Sequence, residues 1–432
     1  MSEKQTKGLL FILITICIDS IGLGIIIPSL PSLIADATHL SITESAKYSI
    51  PVLITYAAMQ FLFSPLIGNL SDRYGRRPII LMSLLGLGLD YVFMYYAPSL
   101  AWLIIGRAVS GMFGASFTTA AAYIADISTD KNRAQNFGLI GAAFGVGFII
   151  GPAIGGVASE FGLRVPFMVA AFLSLANFVY GLIFLKESLP ATDRRKFDIS
   201  RANPIGAIKQ IVRFPKYRGL FVVTFIVLLS NMAIHSVWNY YTIARFGWET
   251  KDVGISLAVV GVCFGLVQGA MAGPIVKRLG EKGAATLGLI ILSVVTLGIG
   301  LLPYGWMMYV IILPYAFSGI VDPSIRSLVS GEAKSNEQGE LQGIFTSLMS
   351  LAEIVGPIFM IWIFYKSVPL ADKNPIFYGT PFFVAALLAI IALILLRYVF
   401  SKIAFKANEA LLDEEVDEEG SMETLDSEKS PH

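Results

Sequence analysis

The sequence predicts an all-α integral membrane protein, with twelve transmembrane helices in two pseudo-symmetric six-helix bundles. Three observations predict this. Of 432 residues, 55% are hydrophobic and only 15% charged, more apolar side chain than a water-exposed fold of this length buries. The chain carries about twelve apolar runs of roughly 20 residues, the length that crosses a hydrocarbon layer. The landmarks of the first half also recur in the second at a fixed spacing. A net charge of +1 offers nothing to nucleic acid. Cysteine and histidine show no zinc-ligand spacing, so neither metal nor cofactor is expected. Cys17 and Cys263 lie inside apolar runs and read as small hydrophobes.

In chain order the runs lie near residues 9–34, 48–69, 79–97, 100–124, 136–159, 165–185, 219–242, 253–276, 284–302, 304–330, 340–365 and 376–400. They are numbered spans 1 to 12. Span 1 is too long for a signal peptide and has no small-residue cleavage site before span 2, so it is expected to persist. Outside the span interiors, lysine and arginine alternate: 24 fall on the side of the termini, counting Arg397 at the end of span 12, and 6 on the other, with Arg107 and Arg326 deeper inside spans. That asymmetry predicts a multi-pass cell (inner) membrane protein with both termini cytoplasmic.

Residues 1–186 read as the first six-helix bundle, 187–218 as a cationic cytoplasmic linker, 219–400 as the second bundle and 401–432 as an acidic, disordered tail. With an offset of 205, Gly68, Arg73 and Gly75 fall on Gly273, Arg278 and Gly280, and Gly151-Pro152 falls on Gly356-Pro357. One register serving separated landmarks argues for duplication. Parallel repeats of this kind hold a ligand near the membrane midplane, between the halves.

The most charged interruption in the first half is GNLSDRYGRRP at 68–78. Gly68 and Gly75 permit a tight turn. Arg73, Arg76 and Arg77 anchor the loop and can pair with acids at adjacent helix ends, Asp126 foremost. In span 5, Gly147, Gly151 and Gly155 recur every four residues, giving a smooth face for close helix packing, and Pro152 favours a bend. Inside the spans, Asp19, Asp90, Arg107, Asp322, Arg326 and Glu353 are each costly in hydrocarbon unless paired or hydrated. Asp322 and Arg326 share a helix face, and mutual neutralisation accounts for them as well as proton gating does. Glu353 has no partner evident in sequence. Asn231, His235 and Asn239 form a polar stripe on span 7, while Trp238 and Phe264 offer flat apolar surface. Each of these also reads as ordinary bundle packing.

The loop GNLSDRYGRRP resembles the signature loop of the major facilitator superfamily, and the resemblance runs from about residue 9 to 400. DSIGLGIIIPSLP (19–31), GRAVSGMFGAS (106–116) and GVGFIIGPAIGG (145–156) are similar to motifs of its twelve-span drug/proton antiporters. GLGLDYVFM and RFGWETKDVGISLA (245–258) resemble the tetracycline-efflux branch.

The resemblance implies alternating access driven by a proton gradient, a small-molecule substrate, the lipid bilayer as surroundings and a monomer. It implies proton coupling at Asp19 and Arg107, to which the membrane acids Asp322 and Glu353 are added. Substrate contacts are expected at Gln60, Asp90, Asn231, His235, Trp238, Asn239, Phe264 and Gln268. A latch is expected at Gly68, Asp72, Arg73, Gly75, Arg76, Arg77 and Asp126, with Asp72 meeting the opposite half. Helix packing is assigned to Gly147, Gly151, Pro152 and Gly155. Where the tetracycline branch has a span-8 histidine this chain has Phe264, and where it has a span-9 acid this chain has Leu292. Lys277 stands at the repeat position of Asp72. A carrier of a polar metabolite, nutrient or iron chelator, and a non-transporting membrane sensor or scaffold, are the alternatives. No nucleophile constellation points to an enzyme.

Overall fold

The computed structural model describes residues 3–114, 116–128, 133–194, 214–331 and 338–402, and these are helical almost throughout. The acidic tail beyond 402 and most of the linker lie outside the described residues. In the first half, span 1 is Glu3–Thr38, span 2 Ile42–Tyr74, span 3 Arg76–Tyr96, span 5 Arg133–Ser159 and span 6 Val165–Phe184. Span 4 comes in two pieces, Leu100–Phe113 and Ser116–Ile127. In the second half, span 7 is Arg218–Phe246, span 11 Gln338–Ala371 and span 12 residues 380–402. Span 10 is again split, into Trp306–Ser318 and Val321–Gly331.

Eleven described stretches are long and apolar enough to cross a membrane, and one of them, Thr250–Leu301, has 52 residues. It contains two spans. Gly280 breaks it with φ 66° and ψ 168°, as Gly75 separates spans 2 and 3 with φ 102° and ψ 161°. Side chains bearing a Cβ are excluded from that region of backbone space, so glycine is required at both turns. The pair is the one the 205 offset aligned. Spans 2 and 8 also open alike, with capping boxes at Ser41/Glu44 and Glu249/Asp252 that satisfy orphan amides of the first turn.

Packing inside the bilayer rests on close contact rather than on expulsion of water, which favours small residues at crossings. Gly147, Gly151 and Gly155 lie directly against Cys17, Ile21, Gly24 and Ile25 of span 1. A Cβ on any of them would strike span 1 backbone, so this face joins two helices of the same half. The contact between halves uses the neighbouring face: Ile149, Pro152 and Gly156 of span 5 meet Gly261, Gly254 and Lys251 of span 8. The glycine stripe thus packs within the first half, and Pro152 beside it takes part in the seam between halves.

The two halves meet at the end of the bundle opposite the termini, here called the far end. Lys251 pairs with Glu160 at 2.7 Å, and Lys47 reaches the Tyr365 hydroxyl at 3.4 Å. The hydroxyls of Ser32 and Thr250 lie 3.4 Å apart, and Asn239 donates to the Ile27 carbonyl at 2.6 Å. At the loop end the described residues leave the same seam open: Gly68, Gly145 and Gly273, on spans 2, 5 and 8, face empty space where a Cβ would point. The result is a cleft between the halves that opens toward the charged loops.

Candidate functional site

Polar residues of the first half gather in a layer midway along the helices. Asp90 of span 3 is 3% exposed and Arg107 of span 4 is 6% exposed. Ser110, one turn from Arg107, links them: Arg107 Nη2 donates to Ser110 Oγ at 3.0 Å, and Ser110 Oγ donates to the Asp90 carboxylate. Gly106 lets the Asp90 carboxylate and Met94 approach span 4 closely. The Arg107 guanidinium lies 5.7 Å from the ring centre of Tyr56 in span 2. Asp19 is half-buried midway along span 1. The Asp90 carboxylate and the Arg107 guanidinium thus share one buried site, joined through the Ser110 hydroxyl. A buried carboxylate held to a single guanidinium through a hydroxyl is a group that can exchange a proton when its surroundings change. Asp90 Oδ1 and Arg107 Nε are buried without a hydrogen-bond partner.

The second half contributes a different wall. Asn231 accepts from the Tyr315 hydroxyl at 3.2 Å and donates to the Val227 carbonyl at 3.1 Å, and Phe264 packs edge-on against Tyr315 at 5.0 Å. His235 is exposed on the same helix. Gln60 donates to the Gly114 carbonyl at 3.4 Å and Gln268 to the Gly319 carbonyl at 2.7 Å. Glu353 is half-buried on span 11, with no hydrogen bond or ion pair among the described residues. Asp322 and Arg326 pair at 2.7 Å, and the guanidinium stacks 4.5 Å from the Phe345 ring centre.

Two expected substrate contacts are elsewhere. Trp238 is 1% exposed, in the second-half core, with its indole N–H donating to Ser256 at 3.0 Å. It faces away from the cleft because span 8 supplies that hydroxyl one helix over. Asn239 is spent at the far-end seam on Ile27. Leu292, where the tetracycline branch has an acid, is 1% exposed and packed in the core.

The signature loop is tied within its own half. Arg76 binds Asp72 at 2.5 Å, Asp126 at 3.1 Å and Ser71 at 2.7 Å. Glu187, just past span 6, accepts from the backbone amides of Arg76 at 2.8 Å and Arg77 at 3.2 Å, capping the start of span 3. Arg77 donates to the carbonyls of Leu185 at 2.7 Å and Leu182 at 3.0 Å, closing the end of span 6. Arg73 is exposed and stacks on Tyr74 at 5.1 Å. Asp126 is the partner the sequence suggested. Asp72, expected to meet the opposite half, instead faces Arg76, because the loop end of the cleft is open. Glu187, Ser110 and the Glu160–Lys251 pair escaped the sequence reading. Of these only Ser110 carried a signal, its helical spacing from Arg107.

Comparison with known proteins agrees with this architecture. The profile of the Major Facilitator Superfamily matches residues 12–357. The class C tetracycline resistance protein of Escherichia coli is 37% identical over 367 residues, covering 84% of this chain and 91% of its own length. The class B protein of Escherichia coli is 34% identical, over 83% of this chain and 89% of its own. Among solved structures, the human organic anion transporter MFSD10 superposes with a TM-score of 0.68 at 21% identity, covering 91% of this chain and 99% of its own. A bacterial homologue of the lysosomal transporter Spinster, in an inward-facing conformation, superposes with a TM-score of 0.73 at 14% identity, over 92% and 97%. The chain belongs to the major facilitator superfamily and is a multi-pass membrane transporter of small molecules, not an enzyme.

Proposed function

We propose that the protein is a proton-coupled antiporter that exports an amphipathic drug of the tetracycline kind across the inner membrane. The observation that carries the reading is the buried Asp90–Ser110–Arg107 group, with Asp19 and Glu353 half-buried midway along spans 1 and 11, set at a cleft between two halves whose polar contacts, among the described residues, fall at the far end. Relatives named for tetracycline resistance, at 34 to 37% identity along most of the chain, support the substrate class. The lysine and arginine bias puts the loop end and both termini in the cytoplasm, so the cleft between the halves is inward-facing and ready to load from inside. Drug loaded from inside favours closure at the loop end and opening at the far end; a proton taken up from outside then favours the return, and its release inside resets the cleft. Asp72, freed from Arg76, is the group available to bridge to the second half once that end closes. The protein needs no cofactor and works as a monomer.

Everted membrane vesicles test this. Respiration or an imposed acid interior is expected to drive tetracycline into vesicles carrying the protein, and a protonophore to abolish the uptake. Tetracycline uptake no greater than in vesicles without the protein overturns the drug reading. The second reading, a polar metabolite or iron chelator, draws on Phe264 and Leu292 replacing the branch's polar groups and on the added Asp322–Arg326 pair. Gradient-driven uptake of such a compound, without tetracycline uptake, establishes it. A sensor or scaffold predicts no flux at all.

A further inference from the structure

Spans 4 and 10 break at positions related by the 205 offset, Gly114 and Gly319, with matching backbone angles: φ −63° and −62°, ψ −11° at both. Each break carbonyl accepts from a glutamine amide of the helix alongside, Gln60 or Gln268. The two staples are unequal for a reason legible in the chain. In an intact helix the Gly319 carbonyl would accept from the amide of residue 323, but that residue is Pro323, which has no N–H. The carbonyl is therefore orphaned, and the Gln268 amide takes it at 2.7 Å. The Gly114 carbonyl faces Thr118 in the corresponding place, which keeps its N–H, and Gln60 sits at 3.4 Å.

The backbone around Gln268 is itself adjusted. Val267–Met271 forms a π-turn, the wider turn that recurs at functional positions in helices. It lies where spans 2 and 8 fall out of step. Ser41 and Glu249 start them at an offset of 208, whereas Gly75 and Gly280 end them at 205. Three residues are missing from span 8, which would turn the remainder of that helix about 60° out of phase at 3.6 residues per turn. The π-turn falls at that discontinuity and directs Gln268 to the break.

We propose that Gln268 is a positioning residue that fixes the hinge of span 10. By holding the Gly319 carbonyl it sets the orientation of Val321–Gly331, the loop-end piece that carries Asp322 and Arg326. Gln60 does the same, more weakly, for the loop-end piece of span 4, which carries Asp126. A substrate that takes the Gln268 amide for itself releases the Gly319 carbonyl and frees span 10 to swing, which links loading to closure. The role builds on the transporter reading but is tested with no substrate present, so its failure is distinguishable from a wrong choice of cargo.

The test is hydrogen exchange of segment 319–331 in purified, substrate-free protein, with span 3 as an internal reference. Losing one hydrogen bond of ordinary net strength is expected to speed exchange there about five-fold in Gln268→Met, leaving span 3 unchanged. In a Pro323→Ala background residue 323 regains its amide, and Gln268→Met is expected to change exchange less than about two-fold. If Gln268→Met also loosens span 3, the shorter amide of Gln268→Asn replaces it, with the same expectation. Unchanged exchange in 319–331, or an equal effect in both backgrounds, overturns the proposal and leaves Gln268 as a substrate contact only.

Discussion

The two halves share a helix plan but divide their interiors differently. In the first half the buried apolar residues fall into two main groups, one around Ile25, Leu33, Met94 and Phe167 toward the far end and one around Phe11, Ile12, Leu84 and Ile124 toward the loop end. The layer of Asp19, Asp90, Ser110 and Arg107 lies between them. In the second half one large group runs from Phe214 through Trp238 and Leu292 to Leu396, with a small one around Val267, Ala284, Ala316 and Ile320. The loops differ in the same sense. GNLSDRYGRR is bound through Arg76 and Glu187, whereas in GPIVKRLGEK the repeat position of Arg76 is Glu281, whose contact is an exposed Ser327 hydroxyl at 3.4 Å. Duplication fixed the scaffold. The intramembrane charges divide evenly, but Asp90 and Arg107 of the first half are buried together, whereas Asp322 and Arg326 of the second form a partly exposed local pair and Glu353 stands on another helix.

The largest expected contrast is between two intramembrane arginines. Arg107→Ala leaves the buried Asp90 carboxylate unbalanced, so drug flux in vesicles is expected to vanish and detergent stability to fall by about 3 kcal/mol. Arg326→Ala removes a partly exposed, local pair and is expected to retain at least about half the flux. Equal losses would erase the distinction between halves. Next come the loops. Arg76→Ala removes a guanidinium shared by Asp72, Asp126 and Ser71. It is expected to cost about 2 kcal/mol in thermal unfolding, against less than about 0.5 for Glu281→Ala. The paired glycines sharpen this further. Gly280→Ala pays only for backbone strain, about 1 to 2 kcal/mol, since its surroundings are empty. Gly75→Ala adds a collision with the Glu187 carboxylate and is expected to cost measurably more by the same measurement. Smallest is the far-end pair: Lys251→Ala, at an exposed ion pair, is expected to shift stability by less than about 0.5 kcal/mol.

Much of the fold was readable in advance, and the limits have physical causes. Gly75 and Gly280 were legible because only glycine tolerates their backbone, so the turn leaves an imprint on the sequence. Arg76 with Asp126 was legible because cations and acids at neighbouring helix ends have few other partners. The breaks in spans 4 and 10 were not, since hydropathy runs through Gly114 and Gly319 without interruption. Trp238 misled because an aromatic on a polar stripe looks the same whether the next helix supplies a hydroxyl, as Ser256 does, or a ligand fills the space. Glu187 was invisible because its partners are backbone amides, which every sequence possesses. Asn239 reads as a cleft residue until the closure at the far end is known.

The central claim is that carboxylates in the first-half layer load protons as the cleft changes sides. Proteoliposomes with an imposed pH gradient test it most directly, comparing tetracycline accumulation with drug exchange at zero gradient in the parent and in Asp19→Asn. The account predicts that Asp19→Asn still exchanges drug across the membrane but no longer concentrates it against a gradient. Full accumulation by Asp19→Asn would contradict it.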